Sequence, residues 1–433
     1  MRDTIAARNI LLVVCTLISM FYLYRNFRTL VWSRKQSIKN WMPIILVALL
    51  FIWVLIHYFF FSYDPVAQLQ ELTSTWARSL MASIIGFTVG LIINRRKKGY
   101  GFIMLALISG LLILFYQYLV LVMKDGNVFQ LMHWNSIYWG KINEVLIGTL
   151  FLSGAFAFFD TLLRDRLIEP DKLSARIFNW TKGCLYFLGI LVVLHCYVFE
   201  IDTRNGIGIA VILTLIFTLI KSVRVVCNLL ISHKKSPFWK PIFALSLMLL
   251  AVMFFWGQQV SRNTGWHTYL EDVKIASQVD KYPNWQTIPA TPIFSGAGRP
   301  IPGNTYERTA WIVVAARTIT DYPLGYGLIH NAFRHLMKLD YPNSDLTVSH
   351  SGWLDLGLSF GMIGLALAFG ALLWTLVLGV LSNSTMAPIV LWSSLGLILA
   401  YALLEIVYYH GVEILMFWLI FLPALLLPKI QIK

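Results

Sequence analysis

Of the nine histidines in the chain, His350 is the one placed where an apolar stretch begins, in Ser349-His-Ser-Gly-Trp-Leu-Asp355. A neutral imidazole is the natural general base for a hydroxyl nucleophile. Position alone allows His267, His330 and His335, which lie in the same long segment, to play that part too, and a capping or packing role is the plainer reading of any one of them. Two arginines stand in comparable places, Arg204 in Glu200-Ile-Asp-Thr-Arg-Asn-Gly206 and Arg308 in Tyr306-Glu-Arg-Thr-Ala-Trp311. A guanidinium fork holds phosphate through paired charge-assisted bonds, and a charge pinned at the end of a span is costly enough to be a functional candidate. A local ion pair with Glu200 or Asp202 is the structural alternative for Arg204, and interfacial anchoring is that for Arg308. Together the three residues suit a doubly anionic group beside a hydroxyl.

Other combinations are weaker. His350 and Asp355 lie about 140° apart on a helix and do not share a face. His410 and Glu413 do, but HxxE alone is a poor metal signature and a buried pair is the simpler reading. Glu144, Glu405 and Glu413 are carboxylates in or at the ends of apolar runs, able to bear on the site or line a proton path. The four cysteines have no metal-like spacing, and no phosphate-binding loop or GxSxG elbow is present, so the sequence calls for no metal and no cofactor.

These residues must be positioned by membrane helices. The 433 residues are 58% apolar and 13% charged, with a mean hydropathy of +0.68, which excludes a chain of soluble domains. Apolar runs near bilayer length fall at 9–24, 42–61, 79–94, 102–123, 142–163, 183–199, 206–220, 238–257, 353–381, 386–404 and 407–428. The expected fold is therefore an all-α, polytopic membrane helix bundle of about 11–12 spans. Basic residues gather on alternate connections, around Arg25–Lys39, Arg95–Lys98, Arg164–Lys182 and Lys221–Lys240, which places those on the cytoplasmic side. The net charge of +14 is thus a topology signal, and no nucleic-acid partner is expected.

The connection from Gln258 to Gly352 is several times longer than any other and rich in tryptophan and tyrosine. Long loops of this composition are functional. The chain divides accordingly into an N-terminal bundle of about eight spans (1–257), a large periplasmic loop (258–352) and C-terminal spans (353–433). Within the loop a helix is expected from an Asn304 cap, with Glu307 completing a capping box, to the residue before Tyr322-Pro323. Arg308, Trp311, Ile312, Ala315 and Ile319 share one face of it, and the turn Pro323-Leu-Gly-Tyr-Gly327 follows.

In this order, Asp202-Thr-Arg-Asn-Gly206, Arg308-Thr-Ala-Trp-Ile312 with Asp321-Tyr-Pro-Leu-Gly-Tyr-Gly327, and His350-Ser-Gly-Trp-Leu-Asp-Leu356 with Phe360-Gly-Met-Ile-Gly364 resemble the shared core of the O-antigen ligase and O-antigen polymerase superfamily. The resemblance covers roughly residues 200–430. It departs at Ser351, where the family more often has asparagine, and in the count of eleven spans, where ligases commonly have twelve. It implies an enzyme of the bacterial inner membrane whose site faces the periplasm. Its donor would be a glycan linked to undecaprenyl diphosphate, its acceptor the lipid A-core, and no metal or cofactor would take part. By the same resemblance His350 is the catalytic base of an inverting transfer, and Arg204 and Arg308 hold the diphosphate. Trp311, Tyr326 and Trp353 are candidate glycan contacts. An O-antigen polymerase or an oligosaccharyltransferase of the same superfamily is the alternative, and a flippase or transporter of lipid-linked glycans is one of a different class.

Overall fold

The structure, a computed structural model, describes residues 5–31, 38–96, 99–126, 140–165, 173–231, 239–287, 292–296, 298–344, 346–407 and 410–427. The centres of the basic connections, around Lys35, Lys97, Arg166 and Lys234, lie outside the described residues, as do Lys429 and Lys433.

Helices α1 (Ile5–Val31), α2 (Ile38–Phe60), α3 (Pro65–Glu71) and α4 (Ala77–Arg96) come first, the last two joined through a wide helical turn at Leu72–Trp76. They are followed by α5 (Tyr100–Asp125), α6 (Lys141–Asp165), α7 (Leu173–His195), α8 (Arg204–Ile231) and α9 (Trp239–Arg262). The long connection holds α10 (Tyr269–Ala276), α11 (Gly303–Asp321) and α12 (Ala332–Asp340), and α13 (Gly352–Leu381), α14 (Ala387–Leu403) and α15 (Gly411–Ala424) complete the chain. Apart from one isolated bridge between Phe294 and Pro300, the described residues contain no β-structure.

A helix stands at each of the eleven expected span positions. Among the described residues eight helices are long and apolar enough to cross a membrane, while α14 and α15 are shorter apolar helices. The chain is an all-α, multi-pass membrane protein. The third span is longer than its hydropathy suggests. It starts at Pro65, because Asp64 Oδ1 accepts from the Ala67 amide (3.0 Å) and proline fits the first helical position, and it continues to Arg96.

Packing sorts the chain into two units, each assembled from separate stretches of sequence. The second comprises residues 98–263 and 387–400. In its interior Phe156 stacks on Phe217 and Trp392 packs against both at a tilt. Asp160 and Lys221, both buried, pair directly, and the Trp392 indole donates to the other Asp160 oxygen (3.0 Å). Buried charges in a span are tolerated only when paired in this way.

The first unit comprises residues 1–97, 264–386 and 401–433. Its long connection is a small folded body with its own core. Trp285, Tyr306, Trp311, Val314, Phe333 and Leu336 pack together there. The indole nitrogens of Trp285 and Trp311 donate to the carbonyls of Val279 and Trp285 (both 3.0 Å), and the Tyr306 hydroxyl donates to that of Tyr282 (2.6 Å). The start of α11 corrects the expectation drawn from Asn304. The helix begins at Gly303 behind Pro302, without a side-chain cap. Proline fixes an extended entry, and its carbonyl accepts from the amides of Thr305 (2.9 Å) and Tyr306 (3.1 Å), so no capping box forms. The other end is as expected, with Tyr322 capping before Pro323.

The connection is fastened to the spans in two places. At one, Glu71 at the end of α3 accepts from the amides of Ile329 (2.7 Å) and His330 (2.8 Å) and from His330 Nδ1 (2.7 Å). The hydrogen bond to Glu71 raises the His330 pKa above its ordinary value; burial opposes the shift, the charges of Glu71 and Glu413 add to it, and that of Arg78 opposes it. A raised folded value means that this contact contributes fully below the unfolded pKa of about 6.5 and is lost as pH rises through the folded value. The thermal midpoint of the wild type is accordingly expected to exceed that of His330→Gln at pH 6, and the difference to shrink as the pH is raised to 9.

At the other, α13 is broken. Phe360 (φ −124°, ψ 19°) and Gly361 (φ 67°, ψ −169°) leave the helical conformation. The turn Pro323–Gly327 fills the gap. The Met362 amide donates to the Pro323 carbonyl (2.9 Å), and the helix carbonyls it abandons are taken up by the amides of Tyr326 (to Leu358, 2.9 Å) and Gly327 (to Ser359, 2.7 Å). The Trp53 indole donates to the Phe360 carbonyl (2.8 Å). The carbonyls of Leu358, Ser359 and Phe360 and the amide of Met362, which an apolar surrounding would make costly to leave open, therefore each have a partner.

Candidate functional site

His350 stands two residues before α13, in a left-handed conformation (φ 60°) that few non-glycine residues adopt. The residues around it hold it there. The Ser349 hydroxyl donates to Asp355 Oδ1 (2.6 Å) and accepts from the Ser351 amide (3.2 Å), closing a tight loop about the histidine. The buried Asp355 carboxylate also accepts from the Ile406 amide (3.0 Å), and the Gly352 amide donates to the Leu404 carbonyl (2.8 Å). The strand-like exit of α14 is thus stitched to the entry of α13. Glycine is required at 352, since a Cβ there would stand 2.7 Å from the Tyr401 ring.

This stitching brings Glu405 to His350. Glu405 Oε2 lies 3.2 Å from His350 Nδ1, and the Trp311 ring stacks on the imidazole with centroids 5.3 Å apart and planes 16° off parallel. The Trp311 hydrogen bond to Trp285 fixes the indole in turn. Burial pushes the Glu405 carboxyl up. The hydrogen bond and charge of His350, its own amide and the charge of Arg308 outweigh that and hold it below the ordinary carboxylate range. The carboxylate therefore stays ionised. With Nδ1 facing an ionised acceptor, the neutral imidazole carries its proton on Nδ1 and leaves Nε2 with an open lone pair. Among the described residues no protein group bonds Nε2, and the side chain is 18% exposed. A base of defined tautomer, reachable from outside, is the arrangement that accepts a hydroxyl proton.

Arg308 is exposed on α11, one turn before Trp311, and its charge reaches Glu405. His350, Arg308 and Trp311 are thus brought together within the first unit. Arg204 belongs to the second unit, where it is half-buried in the first turn of α8. Thr203 caps that helix by accepting from the Gly206 amide (3.2 Å). The two carboxylates weighed as its local partners have other contacts: Glu200 meets His195 Nδ1 (3.0 Å), and Asp202 accepts from Gln259 (2.9 Å).

Of the aromatic candidates, Trp311 and Trp353 are buried, Trp353 edge-on to Phe369 and Tyr401. Tyr326 stacks on Tyr63 (5.2 Å) and on His335 (4.8 Å). In this structure all three rings pack against protein. His410 and Glu413 do pair (3.1 Å), as their spacing suggests, and Glu413 also accepts from Arg78 (2.7 Å). Asp355 makes no bond to His350, which lies outside α13; its carboxylate is taken up by Ser349 and the Ile406 amide.

Sequence reasoning names Glu405 as one of three carboxylates able to bear on the site, but does not assign it to His350. A signal exists in the order of the spans. α13 leaves the loop side and α14 returns to it, so the residues just before α13 and just after α14 meet at the same end, and Glu405 is the acidic residue there. Comparison with family models, with curated proteins and with solved structures found no match.

Proposed function

We propose that this protein is an O-antigen ligase-type glycosyltransferase of the bacterial inner membrane, acting at the periplasmic face. It transfers a glycan from undecaprenyl diphosphate to a hydroxyl of a lipid A-core acceptor. The observation that carries the reading is the His350–Glu405 pair with Nε2 open, in a chain whose motifs resemble that superfamily. Nε2 takes the proton of the acceptor hydroxyl as its oxygen attacks the anomeric carbon. The bond from that carbon to the diphosphate oxygen breaks, the electron pair leaves with the diphosphate, and the configuration inverts. Glu405 stabilises the imidazolium that forms. Arg308 compensates the charge that develops on the diphosphate, and Arg204 is the second candidate for that task by the resemblance.

Gel analysis of lipopolysaccharide from a deletion strain tests the reading. Core-length molecules without a ladder are expected, with carrier-linked polymer accumulating; an unchanged ladder would overturn it, and core plus one repeat would reassign the protein as a polymerase. Complementation with Arg308→Lys keeps the charge and loses the fork, and is expected to lower transfer roughly tenfold. Wild-type transfer by that variant would exclude bidentate binding.

A further inference from the structure

The last turn of α4 carries a cation that the transfer chemistry does not use. One turn before it, the ends of four spans of the first unit meet, where Leu23 of α1, Trp41 and Ile44 of α2, Leu91 and Phe87 of α4 and Leu427 beyond α15 pack together. Asn94 ties α4 to the Leu427 carbonyl. Arg95 then turns its guanidinium toward α1. Its Nη1 donates to the Tyr22 hydroxyl (2.7 Å), with Asn26 Oδ1 at 3.5 Å, and its Cζ lies 5.7 Å from the centre of the Tyr22 ring. One nitrogen thus fixes the group in place.

Nε and Nη2 form the edge of a guanidinium that grips two oxygens of one anion at once. In Arg95 both are buried, and neither has an acceptor among the described residues. The spans that meet here supply no carboxylate for them. The chain has no aspartate or glutamate at positions 4–63, 72–124 or 414–433, the stretches that form α1, α2, α4 and all of α15 past its first turn. A guanidinium charge covered by protein is costly unless an anion lies against it. Arginines that merely set the orientation of a span reach water, as the exposed Arg96 beside it does.

The level of Arg95 along the helices narrows the source of that anion. It closes the apolar span Pro65–Arg96, and the residues where such spans end lie at headgroup level. α1 alongside is open to lipid, since 11% of its apolar window is buried against protein and Met20, Phe21 and Tyr24 are exposed. The Arg95 side chain as a whole is half-buried, which sets the fork just beneath the surface. Basic groups between spans at this depth are the chemistry that holds lipid phosphates.

We propose that Arg95 binds a phosphate group through Nε and Nη2, and that the phosphate belongs to the headgroup of a membrane lipid lodged against α1 and α4. The proposal goes beyond the transfer reading and does not depend on it, because binding is measured without turnover.

The test uses the full chain in detergent, titrated with dioleoyl phosphatidylglycerol, with dioleoylglycerol and with inorganic phosphate, and read by native mass spectrometry. Phosphatidylglycerol is expected to bind at least tenfold more tightly than either of the others. Arg95→Lys keeps the charge and loses the fork, and is expected to weaken phosphatidylglycerol binding about tenfold. Arg96→Gln removes a neighbouring exposed charge and no fork, and is expected to weaken it less than twofold. Thermal melting of each variant shows that it is folded, and the three ligands on the wild type decide the matter if Arg95→Lys is not. Equal binding of dioleoylglycerol would overturn the proposal, as would wild-type affinity in a folded Arg95→Lys protein. A loss in Arg96→Gln as large as that in Arg95→Lys would reduce the site to general charge attraction and overturn it too. Equal binding of inorganic phosphate would assign the fork to a free anion in place of a lipid.

Discussion

Replacing His350 with alanine is expected to lower the glycan-transfer rate by about 10²- to 10⁴-fold, the range that a positioned general base contributes. The loss should appear in kcat with little change in the KM for the lipid-linked donor, because the imidazole takes a proton only as the new bond forms. Glu405→Gln is the sharper companion. It keeps the shape and removes the charge, and its amide can donate to Nδ1, which turns the tautomer so that Nε2 carries the proton and no longer accepts one. A loss approaching that of His350→Ala is expected, by the argument that makes the third member of a catalytic triad matter through tautomer and orientation. Both rates are measured with purified protein and a lipid-linked glycan, alongside thermal melting. A folded His350→Ala protein that transfers at the wild-type rate would remove the base from the mechanism.

The largest expected loss of stability comes from Gly361→Ala. A Cβ there would stand 2.1 Å from the Pro323 carbonyl oxygen and 2.5 Å from the carbonyl carbon of Leu324, both main-chain atoms that no side-chain rotation can clear. The conformation itself (φ 67°, ψ −169°) is one that glycine alone occupies readily, worth about 1–3 kcal/mol. The steric overlap adds a comparable amount. Relief requires the turn to withdraw, and with it go the bonds from Tyr326 and Gly327 to α13. The variant is expected to melt well below the wild type and to be cut faster by protease between 322 and 331. Gly101→Ala is the control, since nothing lies within 4 Å of the added methyl on α5, and it should be neutral or slightly stabilising. A Gly361→Ala protein as stable as that control would mean that the break is not required.

The spans were legible because apolar length is a local property, readable from each stretch on its own. So were the end of α11 before proline and the Pro323–Gly327 turn, both set by the residues that compose them. The break in α13 was not. Residues 353–381 read as one apolar run, and the interruption at Phe360–Gly361 depends on a turn more than thirty positions earlier taking over the hydrogen bonds. The choice of Glu405 over Glu144 and Glu413 as the partner of His350 was hidden for the same kind of reason, since it joins the site only when the Ile406 amide is fixed by Asp355. The abundance of aromatic residues in the loop has a plainer source: a body of this size needs an interior, and Trp285, Tyr306 and Trp311 supply it.

The mended break in α13 also bears on the order in which the protein can be made. A peptide group without a partner in the hydrocarbon layer costs several kcal/mol, so a helix that must be interrupted there cannot wait long for the segment that completes it. Here the completing segment is synthesised first. Residues 323–327 leave the ribosome before 352–381, so the turn exists before the helix that it completes. The chain thus carries its splint ahead of its fracture, and the reverse arrangement of the two segments would have left the same bonds open during insertion.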